Sequence, residues 1–214
     1  MARVYHGRYV KLKFKIEKGH GQLIGNFLRQ CLLTRVDVWR PIAFTIGNSS
    51  NVVTSGDNIL EDSSEIANNI CRYHYEIETN SDIYKLVCTT KELKVSDLNN
   101  GSVKVIDLDA YENASIFHAL NQEVTMTIFF RKAKGKMSSQ QNQAALQREG
   151  INPDNIVVFN SRHSNIDAVS VIVSEYDEMK DTVEIELTET CGINSESLIQ
   201  TCCKDISDIF TNLV

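Results

Sequence analysis

The chain has 214 residues, 42% of them hydrophobic and 23% charged, enough for one large domain or two small ones around a real core. Its 22 basic and 28 acidic side chains leave a formal net charge of −6, which argues against a protein whose main task is gripping nucleic acid. Six cysteines (Cys31, Cys71, Cys88, Cys191, Cys202 and Cys203) form no C-x-x-C pair, and they read as small buried hydrophobes in a reducing compartment. Residues 1–18 alternate charged and apolar side chains and resemble neither a secretory signal nor a transit peptide. No run approaches the length of a membrane span.

Residues 4–16 predict a strand, because Tyr9, Lys11, Lys13 and Lys15 alternate with Val10, Leu12, Phe14 and Ile16. Gly19 and Gly21 then turn the chain. Residues 22–34 predict a helix whose apolar stripe is Leu23, Ile24, Phe27, Leu28, Cys31 and Leu32, with Asn26, Arg29 and Gln30 on the polar face. Residues 37–46 predict a second strand, with Pro41 marking an edge or a bend. From 47 to 58 the chain is polar and rich in Gly, Ser and Asn, a candidate boundary.

Asp62 or Ser63 is placed to cap a short helix ending at Ile70. Short strands are expected at 72–78, 83–89 and 102–107, with Asn99-Asn100-Gly101 as a hairpin turn between two of them. Residues 123–131 predict a strand with Val124, Met126, Ile128 and Phe130 on one face, running into a basic turn at 132–136. Residues 138–153, with four glutamines, read as a loop or a short exposed helix. Strands follow at 165–176 and 182–188, the second with Val183, Ile185 and Leu187 inward and Glu184 and Glu186 outward. Asn194 caps a final helix whose stripe is Leu198, Ile199, Cys202, Ile206, Ile209, Phe210 and Leu213. Periodicity alone leaves open whether its own fold or a partner covers that stripe.

Catalytic chemistry is not visible. The glycines at 19, 21 and 25 have G-x-G-x-x-x-G spacing, one residue too long for a dinucleotide fingerprint, and the Lys-Ser/Thr of a P-loop is missing. A structural turn fits better. The five histidines stand apart, with no metal-ligand spacing, so neither a metal nor another cofactor is expected. Asp107 with Asp109, and Glu175 with Asp177 and Glu178, read as solvated faces. Residues 131–136 are a charged hairpin tip with some capacity to touch phosphate or an acidic partner.

The run Glu17-Lys18-Gly19-His20-Gly21-Gln22-Leu23-Ile24-Gly25-Asn26-Phe27-Leu28-Arg29-Gln30-Cys31-Leu32-Leu33 resembles the G-x-G-x-T-x-G-N-A-L-R-R-x-L-L pattern of bacterial- and plastid-type DNA-directed RNA polymerase alpha subunits. Arg3-Val4-Tyr5-His6-Gly7-Arg8-Tyr9 is similar to the Y-x-G-R-F strand of plastid-encoded alpha chains. Residues 61–70, 109–116 and 182–213 resemble later family segments in the family's order.

That resemblance implies an α+β, two-lobed N-terminal assembly domain. Residues 1–47 and 166–214 would form a dimerisation lobe, and residues 48–165 an inserted, mostly β lobe contacting a large polymerase subunit. It implies a non-catalytic transcription subunit that homodimerises with a second alpha copy and seats the beta and beta-prime-type subunits. Direct DNA contact is not expected. The residues it assigns to the dimer seam are Phe27, Leu28, Cys31, Ile206, Ile209, Phe210 and Leu213. To large-subunit contact it assigns Asn26, Arg29, Glu61, Asp62 and Glu65, whose charges would set register and partner choice.

Two departures stand out. Gln30 replaces the second arginine of the family pair, and Phe27 replaces a small alanine. The sequence also stops where most alpha chains continue into a DNA- and activator-binding domain, so those contacts are not expected of it. The plastid stroma is the expected location, with the bacterial cytoplasm as alternative. Other readings are an archaeal- or eukaryotic-type heterodimerising subunit, a stand-alone interaction module, and a nucleotide enzyme using the glycine turn.

Overall fold

The structure, a computed structural model, describes residues 8–47, 58–106, 108–164, 166–189 and 195–211. In chain order, β1 (Arg8–Glu17) and α1 (Gly21–Thr34) precede β2 (Val38–Ile46) and α2 (Ser63–Cys71). Next come β3 (His74–Ile77), β4 (Ile83–Thr90), β5 (Glu92–Lys94) and a 3-10 turn at Val95–Leu98. β6 (Val103–Ile106), the single-turn α3 (Leu108–Tyr111) and β7 (Ser115–His118) lead to β8 (Val124–Ala133) and β9 (Gly135–Met137). α4 (Ser139–Arg148), a 3-10 turn (Pro153–Asn155), β10 (Val157–Val158) and β11 (Ser161–His163) follow. β12 (Ile166–Glu175), β13 (Lys180–Glu189) and α5 (Ser195–Thr211) are the last described elements.

The mixed α+β chain divides into two units, Met1–Val36 with Ser164–Val214, and Asp37–His163. The first is an antiparallel sheet in the order β1-β13-β12, with α1 lying on β12 and β13 and also touching α5. Val10, Leu12, Phe14 and Ile16 of β1 join Val183, Ile185 and Leu187 of β13 on the helix side. On the other face Lys11 pairs with Glu184 and with Glu186 (3.2 Å), and Lys13 reaches Glu184 at 3.7 Å. Slipping β1 by one residue would bury the lysines and expose the apolar row, so the two ladders fix the register together.

Two glycines set how closely α1 approaches. A Cβ on Gly21 would lie 2.7 Å from Val173 Cγ1, and one on Gly25 2.6 Å from Val171 Cγ1. Their spacing of four puts both on one helix face, directly against β12. The motif that invites a nucleotide reading is thus a packing surface. Gly19, at φ +86°, makes the turn, and its N–H donates to Asp181 Oδ2 at 2.8 Å. A carboxylate from β13 already sits beside the start of α1, where an anion would otherwise be held.

The second unit is built on a six-stranded sheet, β4-β8-β2-β3-β6 with β10 added to β2. The boundary expected at 47/48 falls instead at 36/37, because β2 pairs with β8 along almost its whole length. Pro41 does not mark an edge. It sits at a register shift within an interior strand, where a bulge absorbs the missing N–H. Asn99-Asn100-Gly101 is a turn but not a hairpin, since β6 pairs with β3 and β4 pairs with β8. α2 begins at Asp62, whose carboxylate accepts from the Glu65 N–H.

Within residues 138–153 the short-helix alternative holds, as α4. Ser138 and Gln141 build a reciprocal capping box for α4, which buries Asn142, Ala145 and Leu146. A directed chain of hydrogen bonds anchors it. Arg131 Nη1 donates to Asn142 Oδ1 (3.3 Å), and Asn142 Nδ2 donates to Ser161 Oγ (2.9 Å). Ser161 Oγ in turn meets His163 Nε2 (2.8 Å), and His163 Nδ1 faces the Val38 carbonyl (3.1 Å). A carbonyl only accepts, so Nδ1 carries the proton and Nε2 accepts from Ser161. Burial pushes His163 down to about 4, which keeps the ring neutral at ordinary pH.

The glycine contact yields a stability test. Gly25→Ala is expected to destabilise the protein by about 1–3 kcal/mol through overpacking against Val171, outweighing the roughly 1 kcal/mol gain in helix propensity. Urea unfolding of the variant checks this, with exposed Gln22→Ala as the control expected to stay within about 0.5 kcal/mol of the parent.

Candidate assembly interface

α1 turns Gly21, Gly25, Leu28, Cys31 and Leu32 toward the sheet and leaves Leu23, Asn26, Arg29 and Gln30 exposed. Leu28 and Cys31 are core residues of this unit. The reason is angular: the arc centred on Leu28 and Leu32 faces the sheet, while Leu23 and Phe27 lie on its rim. Phe27 is half-buried, and Leu23, read from periodicity as part of the buried stripe, is 62% exposed.

Ile206, Ile209 and Phe210 fall on α5, but their side chains lie outside the described residues, as does Leu213 altogether. Of the same stripe, Cys202 is buried in the unit's core and Ile199 is half-buried against it. Leu12, Phe14, Leu28, Leu32, Ile185 and Ile199 line an apolar groove of about 200 Å³, with Lys13 at its side. Its walls come from β1, α1, β13 and α5.

Among the residues assigned to large-subunit contact, Asn26 and Arg29 are exposed on α1. Arg29 is partly tied down, because its Nε donates to the Val169 carbonyl at 3.2 Å. The acidic trio of the second unit is used unequally. Glu61 is 10% exposed at its side chain, with Oε1 2.6 Å from His118 Nδ1 and Oε2 accepting the His118 backbone N–H at 2.8 Å. Asp62 caps α2 and also accepts from Ser64 Oγ at 2.7 Å. Of the three, Glu65 is the exposed carboxylate that caps nothing. Glu61 thus ties its segment to His118 through both carboxylate oxygens. Its partner lies 57 residues away, beyond the reach of any local pattern.

Sequence reasoning also missed the surroundings of that anchor. Ile59 bridges Ala119, which sets exposed Leu60 and Leu120 beside His118. Glu92 Oε1 approaches His118 Nε2 at 3.4 Å, so the ring lies between two carboxylates. The hydrogen bond that the ring donates to Glu61, with the charges of both acids, raises the His118 pKa above its usual 6.5. Among the described residues no group of His, Cys, Asp and Glu is arranged to hold a metal ion. No described helix is long and apolar enough to cross a membrane.

No protein-family model matches the chain. Three bacterial proteins named DNA-directed RNA polymerase subunit alpha are similar to it. The protein of Borrelia garinii subsp. bavariensis is 26% identical and that of Borreliella burgdorferi 27%, each match covering 97% of this chain and 64% of the relative. The protein of Mycoplasmopsis pulmonis is 26% identical, across 87% of this chain and 59% of its own length. The chain therefore spans about 64% of the length of the first two curated relatives. These likenesses support the alpha-subunit family, and nothing among them supports the plastid-encoded type.

The His118–Glu61 pair carries a pH signature. Because the folded pKa is raised, its stabilisation is complete below the ordinary value of 6.5 and fades as pH rises through the raised value. The ring is 43% exposed, so the effect is expected to reach at most about 1 kcal/mol. In urea unfolding across pH, His118→Gln should fall furthest below the parent at the acidic end and converge with it at the alkaline end. A gap that stayed constant with pH would contradict this.

Proposed function

We propose that the chain is a non-catalytic assembly subunit of a bacterial-type DNA-directed RNA polymerase, acting in the bacterial cytoplasm. It dimerises and so seats the two large catalytic subunits. The similarity to alpha subunits over 97% of the chain is the observation that carries the reading. The surface of the first unit supports it. Exposed Leu23 and half-buried Phe27 flank a helix whose next layer is core, and a groove lined by apolar side chains lies along the same sheet. A second copy of the chain offers the matching apolar rim across a twofold axis.

In this account the seam is formed by Leu23 and Phe27 together with Ile206, Ile209, Phe210 and Leu213. Leu28 and Cys31 hold α1 in place from behind. Asn26, Arg29 and Glu65 supply exposed polar groups for the beta and beta-prime-type subunits, while Glu61 and Asp62 fix the segment that carries Glu65. Gln30 leaves a single arginine where the family pattern has two. The inserted lobe, in this proposal, is the second unit beginning at Asp37.

Sedimentation velocity of the purified chain is expected to show a concentration-dependent dimer. Leu23→Glu is expected to weaken it by about 2 kcal/mol or more, roughly thirtyfold in Kd, with an unchanged circular dichroism spectrum. Arg29→Glu should leave the dimer intact and lower capture of the large polymerase subunits in a pull-down. A chain that remains monomeric at every concentration, or an Arg29→Glu variant that captures those subunits as well as the parent, would count against the respective assignment.

A further inference from the structure

The sheet of the first unit has two outer strands, β1 and β12, and the protein guards them differently. On the face away from α1 the cross-strand rows run Lys11–Glu186–Ser170, Lys13–Glu184–Ile172 and Lys15–Thr182–Ser174. The β1 end of each row is a lysine, a side chain that discourages a further strand from pairing. The β12 end is uncharged: Ser170 and Ser174 are exposed, and Ile172 between them is 49% exposed. The backbone of β12 has a defined phase as well. Tyr176 N–H donates to the Lys180 carbonyl at 3.0 Å, so Ser174, Ile172 and Ser170, at even steps before it, turn their backbone groups toward β13. Val169, Val171 and Val173 turn theirs outward. Arg29 agrees with that phase, since its Nε donates to the Val169 carbonyl at 3.2 Å. Beyond that capped carbonyl, the outward N–H and C=O groups of Val171 and Val173 meet no further strand among the described residues.

We infer that β12 adds an extended strand from a partner protein, one with an uncharged centre, a basic residue at its start and an acidic residue at its end. An antiparallel guest gives Val171 and Val173 partners for both their donors and their acceptors, and it is the more stable of the two directions. The ends of the edge select the same direction. Arg29 places a cation at the Val169 end. At the other end stand exposed Glu175, Asp177 and Glu178. Lys18 lies 3.5 Å from Glu175, and Asp177 accepts from the Met179 N–H, while Glu178 forms no ion pair among the described residues. An antiparallel guest therefore starts beside Glu178 and ends beside Arg29, and its end charges complement both. At its centre an aliphatic side chain covers Ile172. A second copy of the chain is the less suitable guest. The proposed dimer already uses α1 and α5, and another twofold contact on the same unit would carry the assembly past two copies. That choice between guests rests on the assembly reading; the open edge does not.

The test is fluorescence anisotropy of a labelled peptide titrated with the full chain, the peptide being lysine, then alternating valine and threonine, then glutamate. Saturable binding is expected. Two forms of the peptide, N-methylated on opposite sets of alternate residues, read the backbone directly. One form should bind roughly tenfold or more weakly, and the other should bind like the unmodified peptide. Ile172→Lys, on an exposed side chain, should weaken the unmodified peptide roughly tenfold or more with an unchanged melting temperature. In sedimentation velocity the same variant should self-associate like the parent. The inference is overturned if the peptide does not bind saturably, if the two methylated forms bind alike, or if Ile172→Lys binds the peptide as well as the parent. It is also overturned if Ile172→Lys weakens self-association, which would make a second copy the guest. A chain that stays monomeric and still binds the peptide in this pattern would remove the assembly reading and support the open edge.

Discussion

The first unit depends on how closely one helix can lie on one sheet. Gly21 and Gly25 bring the α1 backbone down onto Val173 and Val171, at distances no side chain would allow. That approach is what seats Leu28, Cys31 and Leu32 among Val183, Ile185 and Leu187. It also decides what remains outside: with the helix axis set low, Leu23 and Phe27 become its rim. Gly19 and Asp181 fix where the helix starts, and the lysine and glutamate ladders fix which residues of the sheet meet it. The proposed assembly surface is a consequence of that seat, because a raised helix would expose different side chains and reshape the groove beside it.

The second unit is held differently, by buried polar chemistry as well as by a core. The chain of donors from Arg131 through Asn142, Ser161 and His163 to a backbone carbonyl satisfies each buried group in turn. Its histidine is neutral because it is buried; the half-buried His118 favours its charged form because two carboxylates face it. The two respond to pH in opposite senses. His163 costs stability as pH falls from 6.5 toward about 4, since the unfolded ring gains a proton that the folded one resists. His118 contributes least at the alkaline end.

Much of the fold was legible wherever one face of an element is apolar. The alternation in β1 and β13 and the three-to-four spacing in α1 identify those elements directly. Elements set by distant pairing were not legible: β5, β7, β9, β10 and β11 are two to four residues long and exist because of partners elsewhere in the chain. Pro41 left an edge or a bend open for a related reason, and the register shift beside it in an interior strand decides for the bend. The Ser138–Gln141 capping box was readable and marks α4, yet the low hydrophobicity of that stretch obscured it. At the candidate interface, periodicity located the apolar arc of α1 but could not tell the part resting on its own sheet from the part left exposed. Glu61 looked like a surface acid because nothing near it in sequence announces His118.

The proposed role of the chain is that of a dimeric scaffold in a large polymerase. Native mass spectrometry of the particle isolated through a tag on the chain, from cells of its own source, tests that most directly. The account predicts an assembly containing two copies of this chain and one each of two much larger chains, losing a pair of scaffold copies together on gentle dissociation. A particle holding a single copy, or a copy bound only to one small partner, would contradict it.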